Sequence, residues 1–157
     1  MRRNWVYGCL VAVALVVPVK RYDLGQLQPV EVVYLYREDG ALVLETDTGT
    51  RGKGASVDAA LEDLEASMAG VLFLDTADYL LAGSNAESEI GEVGKYLKPK
   101  TRICLADSGV KPGEAAAFLS THLPKVTLKV WEKGGKPDEL AVIDGKMYLV
   151  ENSDKKR

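Results

Sequence analysis

Histidine is almost missing from this chain of 157 residues: His122 is the only one. Zinc sites built on several histidines are thereby excluded, and a histidine-centred catalytic machine would rest on one side chain. Cysteine is scarce. Cys9 lies in a leading apolar segment and Cys104 inside an expected strand, so neither a disulfide framework nor a bond between the two is expected. Basic charge is not in excess. The formal net charge is −3, and without Arg2 and Arg3 the remainder carries 18 basic against 23 acidic groups. The basic field of a nucleic-acid binder is therefore lacking. The leading uncharged run, residues 5–19, falls short of the roughly 20 residues a helix needs to cross a bilayer. What remains is ordinary: 46% hydrophobic and 27% charged residues suffice for one globular core without metal or disulfide staples.

Residues 1–21 stand apart. Arg2 and Arg3 precede the apolar run and Lys20 and Arg21 close it. A basic-led N-terminal run of this length fits a signal-peptide core or a short uncleaved anchor better than a buried strand or helix. Cys9 follows Val6-Tyr7-Gly8, a loose match to a lipoprotein cleavage site, which makes Cys9 a possible lipidation position. We divide the chain into a signal or anchor segment (1–21), a single α/β domain (22–151) and a flexible tail (152–157).

The domain is organised around residues 51–83. Ser56 can cap a helix starting at Val57. Val57, Ala60, Leu61, Leu64 and Met68 form its apolar stripe, with Asp58, Glu62, Asp63 and Glu65 on the wet side. Gly70 stands where a left-handed turn would end it. Two apolar runs follow, 71–74 and 79–82, suited to strands buried on both faces. Upstream, residues 29–36 read as a strand, Asp39-Gly40 as a tight turn and 41–48 as the hairpin partner. Residues 49–56 read as a glycine-rich loop. Downstream, Ser84 and Glu87 have capping-box spacing for a second helix with Ile90, Val93 and Leu97 on its apolar face and Pro99 at its end. Residues 101–106 read as a strand. Pro112 suits the first turn of a third helix running to about Leu123. Residues 125–131 alternate at period two, as a half-exposed strand would. Asp144-Gly145 joins the last two strands, 140–143 and 146–150. The order predicts an α/β fold: a layered mixed sheet with about three helices and hairpins at both ends.

Candidate chemistry is sparse. Gly49, Gly52 and Gly54 with Lys53 precede a helix N-terminus, where main-chain N–H groups can hold phosphate, so a small-ligand domain using the loop from Gly49 to Gly54 is one alternative. The spacing is not that of a P-loop, and a plain loop explains it. Asp47-Thr48-Gly49 follows an apolar strand, as in a dimeric aspartic peptidase sharing one proton between two chains, which is the enzyme alternative; Thr50 replaces the small residue usual after the glycine, and a hairpin end with turn-forming residues is the favoured reading. Asp75 and Asp78 read as turn formers. Glu87, Glu89 and Glu92 complement a helix dipole, and His122 suits a helix C-terminus. Trp131 and Tyr148 read as sheet-packing residues. Cys104 reads as an inert core thiol. No nucleophile, base and orienter fall together, and no cofactor or metal is expected.

Three stretches in order, and a hairpin after them, resemble a known family. GKGASVDAALEDLEASM is similar to the G-x-G-x-S-x-x-x-A…L segment of the Ger(x)C family, the C-subunit lipoproteins of GerA-type spore germinant receptors. LFLDTADYLLAGSNAESEIGEVGKYL resembles the family's next strand pair and helix, and TRICLADSGVKPGEAAAFL the strand and helix after that. ELAVIDGKMYLVE is similar to its late hairpin. The resemblance covers roughly residues 29–151, the extent of the family's N-terminal domain only. It implies a non-enzymatic, membrane-anchored protein on the extracytoplasmic face, acting in spore germination beside integral membrane receptor subunits. It carries over no catalytic residues. The apolar run continues past Cys9, whereas family members leave the membrane directly after their lipidated cysteine.

Overall fold

The computed structural model of the chain describes residues 27–152. The anchor segment, Cys9 and most of the tail lie outside the described residues. Among the described residues, nine strands and four short α-helices follow one another as β1 (Leu27–Pro29), β2 (Val32–Glu38), β3 (Ala41–Thr46), β4 (Arg51–Gly54), α1 (Val57–Ala66), β5 (Val71–Phe73), β6 (Tyr79–Gly83), α2 (Ile90–Gly94), β7 (Arg102–Ala106), α3 (Pro112–Leu119), α4 (Leu128–Trp131), β8 (Asp138–Ile143) and β9 (Lys146–Val150). Seven strands form one mixed sheet in the order β4-β3-β2-β6-β7-β8-β9, while β1 and β5 pair separately. The strands β2, β6, β7 and β8 run parallel, and an antiparallel hairpin flanks them on each side. The layered α/β sheet with hairpins at both ends is therefore present.

Alternation along the parallel strands divides the core in two. Val33, Leu35, Leu80, Ala82 and Ile103 face one side, under α1, α2 and Leu128. Val32, Tyr34, Tyr79, Leu81, Cys104 and Leu140 face the other, under α3. A strand covered on both faces needs apolar residues at every position, and β6 is buried throughout. Both hairpin turns adopt the left-handed backbone that an Asp-Gly pair tolerates: φ is 52° and 80° at Asp39 and Gly40, and 51° and 72° at Asp144 and Gly145.

The centre of the chain folds as its pattern requires. Ser56 Oγ accepts from the Ala59 N–H at 3.2 Å, and Val57, Ala60, Leu61 and Leu64 are buried. Residues 51–54, however, are a strand and not a loop. Arg51 to Gly54 pair antiparallel with Glu45 to Leu42. The glycines are there because α1 lies directly on them. A Cβ on Gly52 would sit 2.2 Å from the Ala60 carbonyl oxygen, and one on Gly54 would sit 2.4 Å from the Ala60 nitrogen.

Other expectations are corrected. The first helix ends at Ser67 in right-handed backbone, and Gly70 has no positive φ. The run 71–74 supplies a three-residue strand of the small sheet, partly exposed, because β6 alone takes the central place beside β2. The Ser84–Glu87 capping box does not form; a 3₁₀ turn at Glu87–Glu89 leads into α2 without a side-chain cap. Asn85 holds this corner instead. Its amide accepts from the Arg37 N–H at 3.1 Å and donates to the Arg37 carbonyl at 3.0 Å, extending the β2 edge. Ile90, Val93 and Leu97 are nonetheless buried as their spacing requires. The third helix stops at Leu119, capped by Ser120. Residues 128–131, read as strand, form a helical turn. Leu128 and Trp131, three apart, both reach α2: a Cβ on Gly94 would meet Leu128 at 2.9 Å, and one on Gly91 would meet Trp131 at 3.8 Å. That one-sided contact favours helical over alternating geometry.

Candidate functional site at the strand ends

In an open α/β sheet the loops leaving the C-terminal ends of parallel strands diverge to opposite faces and leave a crevice. Here the loop after β6 leads to α2 on one face, and the loop after β7 leads to α3 on the other. Between them lies a cavity of about 360 Å³ lined by Tyr34, Tyr36, Glu45, Asn85, Ser108 and Gly109 among others. The β2–β3 hairpin closes its side. Tyr34 and Tyr36 have ring centroids 4.7 Å apart, and Arg51 lies over the Tyr36 ring at 5.6 Å.

The polar groups in this crevice are tied to one another. The Tyr34 hydroxyl donates to the Asp107 carbonyl at 3.1 Å, fixing the loop after β7. The Tyr36 hydroxyl donates to Glu45 Oε2 at 3.1 Å. Burial, then the hydrogen bond to Glu45, pushes the Tyr36 hydroxyl up to about 12, so it remains a donor at physiological pH. Burial also raises Tyr34, with Asp107 and Glu45 adding to it. Arg37, which also lines the crevice, pairs with Glu89. Chemically, the crevice offers hydroxyls, the carboxylates of Glu45 and Asp107, the Asn85 amide and loop main chain to a small polar molecule. It pairs no nucleophile with a base. Spacing alone could not find it, because sheet pairing brings its residues together from four separate segments.

The residues singled out in the sequence are dispersed. Asp47 lies at the opposite end of the sheet, where β2 begins. Its Oδ1 accepts from the main-chain N–H groups of Glu31 at 3.0 Å and Val32 at 3.1 Å. Thr48 and Gly49 complete the β3–β4 turn, with φ of 82° at Gly49. Gly52 and Gly54 are filled by α1, and the Lys53 N–H donates to Asp63 Oδ2 at 2.8 Å. Lys53 Nζ faces Glu38 at 3.5 Å. Asp78 accepts from Lys98 Nζ at 2.6 Å, whereas Asp75 is exposed. Glu92 pairs with Lys95 on the surface. His122 stacks on Phe118 with centroids 4.2 Å apart, and its Nδ1 lies 2.9 Å from Thr121 Oγ1. Cys104 is buried, and burial, with Asp138 adding to it, pushes its thiol up to about 12. Tyr148 is exposed rather than packed into the sheet.

Among the described residues no three His, Cys, Asp or Glu side chains gather as a metal site, and no helix is long and apolar enough to cross a membrane. No protein-family model, curated protein or solved structure matches the chain.

Proposed function

We propose that this chain is a non-enzymatic, membrane-attached extracytoplasmic domain of the kind found at the N-terminus of Ger(x)C proteins, and that it works by contact with integral membrane receptor subunits. One observation carries the reading. The segment resembling the family's G-x-G-x-S-x-x-x-A…L pattern is a single structural unit. Gly52 and Gly54 let α1 approach β4, Ser56 caps that helix, and Ala60 and Leu64 are the residues seated on the glycines. Each letter of the pattern serves the same contact, which makes the pattern a fold signature rather than a ligand-binding loop. The engaged state of the candidate carboxylates agrees with it: Asp47 holds the start of β2, and Glu45 holds Tyr36. Attachment rests on the leading segment 1–21 with Cys9, read from the sequence.

The test is co-purification from native membranes. The full chain, tagged at its C-terminus and cross-linked in the cells that make it, is expected to retain polytopic membrane proteins in comparable amounts. Recovery without any such protein would refute the reading.

A further inference from the structure

The two edges of the seven-stranded sheet are built differently. At one edge, β4 has four residues, and its Arg51 and Lys53 are both drawn to Glu38. A short, charged edge resists pairing with another chain. At the other edge, β9 carries a single lysine among apolar residues. Ile143 pairs with Lys146 across the two-residue turn, so that pair exchanges main-chain hydrogen bonds, as do Ala141–Tyr148 and Glu139–Val150. The N–H and C=O groups of Met147 and Leu149 therefore point to the open edge.

Among the described residues the hairpin also carries an uncovered apolar face. Val142, Met147 and Leu149 pack toward α3. By alternation Ile143, Tyr148 and Val150 lie on the opposite face, where they are 56%, 47% and 51% exposed. We propose that this edge pairs with β9 of a second copy, antiparallel about a twofold axis at Tyr148, to make one continuous sheet.

The surface is complementary to itself in that register. Met147 meets Leu149 of the second copy twice, and each pair exchanges two main-chain hydrogen bonds. Tyr148 meets Tyr148 at a non-hydrogen-bonded position, where cross-strand side chains come closest. Val150 of each chain extends the apolar stripe. Charge supplies the argument for a second copy over another partner. Within one chain Lys146 and Glu139 lie at opposite ends of the hairpin. In the pair, Lys146 stands opposite Val150 of the second copy, with Glu139 of that copy one strand further. Two strand spacings put these Cβ atoms about 10 Å apart, within reach of the two side chains. Both charged rows are matched by the same twofold axis. This inference is independent of the membrane reading.

The test uses the full chain in a Cys9→Ser background, in the detergent in which it purifies. Under mild oxidation Tyr148→Cys is expected to give a disulfide-linked dimer as its main product, because the two positions face each other at disulfide distance. Ile143→Cys, also exposed but away from the axis, is expected to give no disulfide-linked dimer. By sedimentation, Tyr148→Lys opposes two ammonium groups and is expected to weaken dimerisation roughly tenfold or more. Lys146→Glu should weaken it, and Lys146→Glu with Glu139→Lys should restore it. A wild-type chain that remains monomeric up to about 1 mM, equal cross-linking at 143 and 148, or a dimer indifferent to Tyr148→Lys would each overturn the proposal.

Discussion

Replacing Gly52 by alanine probes the contact on which the fold is centred. Gly52 pairs with Leu44 in the sheet, and its backbone is not left-handed, so the cost is steric rather than conformational. The added methyl would lie 2.2 Å from the Ala60 carbonyl oxygen, 2.4 Å from the Leu64 nitrogen and 2.6 Å from Leu64 Cβ. Comfortable separations are about 3.5–4 Å. The nearest atoms are main chain, which cannot rotate away, so α1 must lift by more than an ångström. Lifting it exposes Val57, Leu61 and Leu64, all now buried. Overpacking costs about 1–3 kcal/mol, and a rigid helix on a rigid strand belongs at about 3 kcal/mol. For a domain of this size that lowers Tm by roughly 6–12 °C. Gly145→Ala is the control. Its φ is 72° with nothing within 4 Å, so it meets only the left-handed penalty of about 1 kcal/mol. Thermal melts followed by circular dichroism decide the matter. A Gly52→Ala protein melting within about 2 °C of wild type, or above the control, would refute the packing of α1 on β4.

Three further perturbations follow from the same contacts. Ser56→Ala removes the acceptor for the Ala59 N–H and should cost about 1 kcal/mol by urea melts; no change would remove the cap from the account. Asp47→Ala leaves the Glu31 and Val32 N–H groups without their carboxylate and should cost about 1–2 kcal/mol, while Asp47→Asn leaves any peptide hydrolysis by the preparation unchanged; hydrolysis abolished by the asparagine variant would instead support a peptidase. Cys104, held up to about 12 against an ordinary 9.0, should resist alkylation in the folded Cys9→Ser chain at pH 8 and react only on unfolding. Because the folded state keeps a proton that the unfolded state releases, this stability is full below about pH 9 and is lost as pH rises toward 12, by at most about 1.4 kcal/mol per pH unit. Tyr36 acts in the same direction. Urea midpoints that rise between pH 8 and 10.5 would contradict this.

The sequence was most legible where a local rule and the tertiary fold agree. Asp39-Gly40 and Asp144-Gly145 need left-handed backbone, have it, and close the two hairpins. The stripe from Val57 to Leu64 faces the core because its period is helical. Legibility failed where a distant neighbour decides the local structure. Gly52 and Gly54 suggest a loop in isolation, and only the closeness of α1 explains glycine in a strand. Residues 125–131 alternate, yet Leu128 and Trp131 turn together toward α2. The tyrosine crevice was invisible because Tyr36, Glu45, Asn85 and Ser108 meet only once β2, β3, β6 and β7 are assembled. Asp47-Thr48-Gly49, read first as a hairpin end, does form a turn, and Asp47 also holds the start of β2, which the spacing did not suggest.

Membrane attachment is the claim on which the functional account depends, and one measurement addresses it directly: intact-mass analysis of the native protein in membrane and soluble fractions. The account predicts a membrane-bound species that either carries diacylglycerol on Cys9 or retains residues 1–21. A full-length, unmodified species confined to the soluble cytoplasmic fraction would contradict it.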